Sequence, residues 1–399
     1  MSRVSFEYVE KHTDTGYTDT ATLIVATKLW IQDEKERQQV LRKIKNVSRL
    51  ENKELTVPKN NEIVTFNDIY YNTKITNPYN SKETFYGFSY RCLTGYLSIR
   101  LKHNVIYTRK PATIIKELKE YLSKHFHIED KYLNSIDDYI FLGRIDYKRD
   151  YKYRTLEEYY LIKQIIDIAP DTIIRSCYSK EDKADTEFEY IKAYKSKSNK
   201  TAQFVMYDKH KDQEHSLKRG EIDELDYEKY YHTIRFEVRL LNSKLNALKK
   251  AKEIPKKIHN YKDEEKAKEY FDYYATKAFF TQPIFRIDIA KEKVNQSNLK
   301  DNMKVKLCNV LDSINTRGYS KTRDIYTDIV TNSTGKQQKN YSKFNRYIEK
   351  IRGLNINPLT LRQTWRDDKG NIADTTYTEI PNFILAENCL EEECMFIDE

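Results

Sequence analysis

The segment Ile234–Leu240 constrains this chain more than any other. Its apolar residues Ile234, Phe236, Val238 and Leu240 alternate without a break with Arg235, Glu237 and Arg239. Successive side chains of a strand point to opposite faces, so the pattern demands a sheet with one face on a core and charge on the other. Two further segments put charge into strand-like runs: GRIDY at 143–147, with Asp146, and QFVMYDKH at 203–210, with Tyr207 followed by Asp208 and Lys209.

Around these runs the chain reads as a mixed α+β protein. Residues 20–26, 84–92 and 96–101 are β-branched or aromatic and read as strands. Pro111 and Thr113 open a helix whose apolar stripe is Ile114, Ile115, Leu118, Tyr121 and Leu122. Residues 139–147 form the next strand. Thr155-Leu-Glu-Glu158 is a capping box for a helix that stops before Pro170. Strand-like runs follow at 172–177, 186–194, 201–209 and 233–241, with a hairpin turn at 196–200. This predicts a domain over 1–290, a largely antiparallel sheet with flanking helices. Helices are then predicted at 298–314, 320–331 and 342–352, and Gly370-Asn371 closes a small hairpin. They make a mainly helical C-terminal domain over 291–380, resembling winged-helix DNA readers in outline. An acidic tail covers 381–399.

Charge narrows the partners. The 399 residues include 70 Lys and Arg against 61 Asp and Glu, a net charge of +9. The last sixteen residues carry six acids and no Lys or Arg; removing those six from the +9 total leaves residues 1–383 at +15. A basic body points to a polyanion, nucleic acid first. Lys148 and Arg149, beside Tyr151 and Tyr153, and Lys321, Arg323, Lys343 and Arg346, in or beside the C-terminal helical runs, are the candidate DNA contacts. The 33 Tyr offer rings that stack on unpaired bases. Five scattered Cys argue against a disulfide framework. With no secretory signal and no apolar run of membrane-spanning length, the expected location is a bacterial cytoplasm. Gly335-Lys336 lacks the rest of a P-loop, and no GxGxxG, HExxH or GxSxG occurs, so no nucleotide cofactor is expected.

A charged strand face is most often simply water-facing. Three such strands side by side are another matter, because Asp146, Tyr207, Lys209 and Glu237 then share one face. Asp146 and Glu237 are the candidate ligands for Mg²⁺ or Mn²⁺. Tyr207 is the candidate nucleophile, and Lys209, Arg235 and Arg239 the cations that activate it and hold phosphate.

The ordered segments GRIDY, FVMYDKHKDQEH and IRFEVRLLNSKL resemble those of rolling-circle replication initiators of the filamentous-phage gene II type and related satellite-phage and small-plasmid proteins. The segment STGKQQKNYSKFNRYIEKIRGLNINP at 333–358 resembles their C-terminal region more weakly. The resemblance covers some thirty residues strongly and, by order, about 140–360. It places the family tyrosine on Tyr207, the acids on Asp146 and Glu237, and the motif bases on Lys209, Arg235 and Arg239. It implies a metal-dependent nickase that starts rolling-circle replication of a phage or plasmid through a 5′-phosphotyrosine. Its partners would be origin DNA with an exposed single-stranded nick site, a host helicase and a host DNA polymerase; a homodimer is compatible with it. Three other readings stay open. His125-Phe-His127 spells the metal-binding pair of the other class of tyrosine nickases, although here it ends a helix. A non-catalytic DNA-binding regulator accounts for the charge, and an RNA- or single-strand-binding protein accounts for the aromatics.

Overall fold

The alternation of residues 233–241 is realised as the strand next to one edge of a seven-stranded sheet. The computed structural model describes residues 18–51, 70–77, 80–91, 96–101, 110–170, 202–218, 224–331, 337–380 and 382. The strands are β1 (Thr18–Val25), β2 (Tyr70–Asn77), β3 (Asn80–Arg91), β4 (Tyr96–Leu101), β5 (Ile140–Lys152), β6 (Ala202–Asp208) and β7 (Thr233–Leu241). Their order is β2-β3-β4-β1-β5-β7-β6, and every neighbouring pair is antiparallel. The chain is an α+β protein. Its first described strand, β1, lies in the middle of the sheet between β4 and β5, and β6 forms an edge.

One sheet face is apolar. Ile145, Tyr147, Phe204, Met206, Ile234, Phe236, Val238 and Leu240 are all buried there. Helices α6 (Asn242–Lys252) and α7 (Glu264–Phe279) pack on β5 and β7. Phe271 and Phe279 of α7 meet Phe204 at ring separations of 6.1 and 5.8 Å, which anchors the helix on the sheet.

β5 keeps its charged residues in phase through a bulge. Leu142 faces Leu23 of β1, but the next paired residue, Arg144, faces Thr22, which leaves Gly143 unpaired. A side-chain Cβ at Gly143 would lie 2.4 Å from Ile24 Cδ1, so this close approach selects glycine. The extra residue shifts the alternation by one. Ile140 and Leu142 before it, and Ile145 and Tyr147 after it, therefore all reach the core, while Arg144, Asp146, Lys148 and Asp150 line the opposite face.

Among the helices that precede those two are α1 (Glu34–Glu51), α2 (Pro111–Phe126), α3 (Leu156–Ile168), α4 (Lys209–Lys218) and α5 (Glu224–Glu228). Thr155 caps α3 as the sequence predicts, its hydroxyl accepting the Glu158 N–H at 3.1 Å. Beyond β7 the chain turns mainly helical, with α8 (Ile287–Gln296), α9 (Asp301–Arg317), α10 (Tyr319–Ile325) and α11 (Ser342–Gly353). The expected domain boundary at 290 falls within α8. Strand β8 (Ile284–Phe285) pairs with β13 (Glu379–Ile380). β11 (Thr364–Arg366) and β12 (Ile372–Asp374) make the hairpin expected at Gly370-Asn371, with Gly370 at φ 91°.

One helix is shorter than expected. The run 320–331 is helical only to Ile325, and β9 (Asp328–Thr331) then pairs with β10 (Gln337–Asn340). Three β-branched residues, Ile329, Val330 and Thr331, favour the strand. The expected strands 172–177 and 186–194, the turn at 196–200 and most of the acidic tail lie outside the described residues. No helix among the described residues is long and apolar enough to cross a membrane.

Candidate active site

The second face of the sheet gathers the three charged segments. In the β5–β7 register Asp146 faces Arg239, Lys148 faces Glu237 and Asp150 faces Arg235. In the β6–β7 register Val205 faces Glu237 and Tyr207 faces Arg235. Directly opposed residues share a face, so Asp146, Tyr207, Arg235, Glu237 and Arg239 come together as the sequence predicts. Lys209 follows at the start of α4, its Nζ 5.7 Å from the centre of the Tyr207 ring.

Two linked clusters result. In the first, the Tyr207 hydroxyl donates to Glu237 Oε1. Glu237 Oε2 accepts from Arg239 Nε at 2.9 Å and Nη2 at 2.7 Å. Arg239 Nε also lies 3.9 Å from Asp146 Oδ2, so it bridges the two acids. Asp146 accepts from Arg144 at both oxygens and from the Thr20 hydroxyl at 2.8 Å. In the second cluster Arg235 forks onto Asp150, with both N···O distances 2.7 Å, and gives Nη1 to Asp19 at 2.8 Å. Lys148 Nζ stands 3.7 Å from Asp150.

These groups are buried: Asp146 is 1% exposed, Arg235 and Glu237 3%, Tyr207 8%. Withdrawing a charge from water costs several kcal/mol per ion even after relaxation. A sheet needing only stability is better served by apolar residues, so a buried network of this size marks a functional-site candidate. Burial, and then the Glu237 carboxylate, push the Tyr207 phenol well above its usual value, with Arg235 acting in the opposite sense. Burial likewise raises Glu237, against the pull of Arg239. Burial alone would raise Asp150, but Arg235 and Lys148 hold it well below the usual carboxylate range. The resting pair is therefore a neutral phenol donating to a carboxylate with enhanced proton affinity.

The arrangement does not fit Mg²⁺ or Mn²⁺. Both oxygens of Asp146 and both of Glu237 already accept hydrogen bonds, from Arg144, Thr20, Tyr207 and Arg239, so the two acids are engaged by donors rather than presented together as oxygen ligands. Among the described residues no group of three or more His, Cys, Asp or Glu is placed to hold a metal ion. Positive charge at this face comes from Arg144, Arg235, Arg239, Lys148 and Lys209.

The other expected residues are scattered. His125 lies in the last turn of α2, and His127 caps that helix with φ 51°, so neither stands on a strand. Arg149 is not a DNA contact. It is 2% exposed, donates to Asp272 at 2.9 Å and places its guanidinium 4.7 Å from the centre of the Phe271 ring. Lys148 is equally withdrawn from the surface, at 5% exposure. Lys321, Lys343 and Arg346 are exposed, and Arg323 is half-buried against Tyr341. Tyr151 and Tyr153 are not open to bases, since Tyr151 donates to Glu158 and Tyr153 is buried.

Asp19, Thr20 and Asp150 complete the face and were not expected. Asp150 is four residues past Asp146 on one strand, a spacing that returns to the same face, so alternation alone was enough to find it. Asp19 and Thr20 carry no such signal, because the sequence does not say that β1 lies beside β5. Among known proteins, no family model, curated protein or solved structure matches this chain.

Proposed function

We propose that the chain nicks and rejoins DNA through Tyr207, and by doing so starts rolling-circle replication of a phage or plasmid. The observation that carries this reading is the Tyr207–Glu237 hydrogen bond within a buried, arginine-rich sheet face. A phenol is a poor nucleophile until a base takes its proton. Glu237, raised by burial, is that base.

In the proposed step Glu237 Oε1 takes the phenolic proton as the Tyr207 oxygen bonds to phosphorus. The P–O3′ bond breaks, and the departing oxygen picks up a proton from water to become a free 3′-OH. The 5′ phosphate stays on Tyr207, so the phosphodiester bond energy is retained and rejoining needs no ATP. Arg239, beside Glu237, and Lys209, over the Tyr207 ring, are the cations nearest the charge that develops on the phosphate. Tyr207 is 8% exposed, so a strand reaches it only when this face opens. The exposed bases Lys321, Lys343 and Arg346 supply phosphate contacts to duplex origin DNA. Unwinding and synthesis fall to a host helicase and polymerase.

Supercoiled DNA carrying the gene and its flanks tests the reading, assayed with and without Mg²⁺ or Mn²⁺. Open circles with protein covalently attached support it; binding without nicking favours a DNA-binding regulator. Glu237→Gln keeps the shape of the side chain and removes the base. Nicking is expected to fall by about 10²–10⁴-fold. In the unsubstituted chain the rate should rise with pH through a group titrating above the usual carboxylate range, because Glu237 must be deprotonated to accept the proton. The Gln variant should lose that rise. An unchanged pH profile in Glu237→Gln assigns the proton to another group.

A further inference from the structure

The turn that feeds β7 carries a set of rings that the strand-transfer step does not use. Tyr231 is 58% exposed, and its ring stacks on His232 with centroids 4.0 Å apart and planes at 19°. His232 stacks in turn on Tyr153 at 4.7 Å, and Tyr153 meets Tyr159 at 5.0 Å. Tyr153 and Tyr159 are buried, so the column is rooted in the core and ends at the surface on Tyr231. His210 meets Tyr231 edge-on at 5.2 Å and is itself stacked on Tyr227 at 4.1 Å.

The backbone is held to present this column. His232 has φ 56°, a left-handed conformation that non-glycine residues adopt at a cost. The turn is fixed by Tyr153 N–H to the His232 carbonyl at 3.0 Å and by Thr233 N–H to the Tyr230 carbonyl at 3.2 Å. A strained turn that holds a large ring in water is a poor packing solution. It is a good preorganised surface, since the ring has already lost its freedom before anything binds. The column's sequence neighbour Tyr230 reaches the surroundings of the candidate nucleophile. Tyr230, next in sequence to Tyr231, carries Lys209 at 5.3 Å and Arg235 at 5.4 Å over its ring, and Lys209 also lies over Tyr207.

We propose that Tyr231 is a stacking platform for an unpaired nucleobase of the strand on which Tyr207 acts, an inference that rests on the strand-transfer reading. A base has flat π faces that extend such a column, and the edge-on His210 offers a nitrogen to the base edge. Stacking at this point holds a single strand beside Lys209 and leaves its backbone to the cations.

The test is fluorescence anisotropy on the full chain with two labelled single strands of equal length, an oligodeoxyadenylate and one composed of abasic sites. Tyr231→Ala is expected to weaken binding to the adenylate strand about tenfold to a hundredfold and to leave the abasic strand unchanged. Tyr231→Phe should bind both strands within about twofold of the unsubstituted chain, because the ring remains. Unchanged adenylate binding by Tyr231→Ala, or equal losses on both strands, overturns the platform. Phosphotyrosine formation, assayed separately on the unsubstituted chain, keeps the two readings apart. Base-dependent binding without a phosphotyrosine sinks the strand-transfer reading, whereas a phosphotyrosine with unchanged Tyr231→Ala affinity sinks only the platform.

Discussion

Tyr207→Phe is expected to reduce nicking and covalent attachment to background while the fold survives. The substitution removes one oxygen from a side chain that otherwise keeps its packing against Val205 and its contact with Lys209. Its structural cost includes the loss of the Tyr207 hydroxyl's hydrogen bond to Glu237 Oε1. A buried acceptor left without a partner costs about 1–3 kcal/mol, which a folded domain of this size tolerates. Loss of the nucleophile, by contrast, leaves no route to a protein–DNA bond. Gel analysis of supercoiled substrate, with denaturing gels for the covalent species, measures both outcomes. Wild-type nicking by the Phe variant would place the nucleophile elsewhere.

The largest stability effect is expected at Arg235. Its guanidinium is the shared partner of Asp150 and Asp19, and Arg235→Met leaves both carboxylates buried without it. Breaking a buried pair from one side costs about 3–5 kcal/mol. The pH dependence follows from Asp150. Its native carboxyl titrates below the unfolded value of about 3.9, so the pairing stabilises the native state above that pH. That stability is lost as pH falls through the native value. In the Met variant burial dominates and the carboxyl titrates higher, so acid relieves the variant where it weakens the native chain. Denaturant unfolding at pH 7 and near pH 4 is expected to show a gap that narrows on acidification. A variant within about 1 kcal/mol of the native chain at pH 7 would mean that the network is not buried charge.

The parts of the fold legible in the sequence are those set by local periodicity. The alternation of 234–240 placed β7 and both of its faces. Thr155 and Glu158 announced the start of α3, and Gly370-Asn371 the C-terminal hairpin. Arg149 was misassigned although parity held the answer: it is three residues from Asp146, an odd step that turns it to the apolar face. The bulge at Gly143 was hidden because YIFLGRIDY reads as one apolar run ending in charge rather than two alternations out of phase. The insertion of β1 between β4 and β5 was hidden for a deeper reason. Strand order is decided by long-range packing, and residues 18–25 carry no mark of their neighbours. Asp19 and Thr20 therefore enter the site only with the structure. So does the engagement of Asp146 and Glu237 by arginine, because a sequence shows which carboxylates share a face but not which donors reach them.

The most direct measurement is the identity of the residue bonded to DNA. Supercoiled substrate is nicked, the adduct is digested with nuclease and protease, and the modified peptide is sequenced by mass spectrometry. Phosphate ester on Tyr207, within the segment FVMYDK, is the expected result. An adduct on any other residue, Tyr147 included, or nicked DNA with no adduct at all, would contradict a tyrosine strand transfer built on the Tyr207–Glu237 pair.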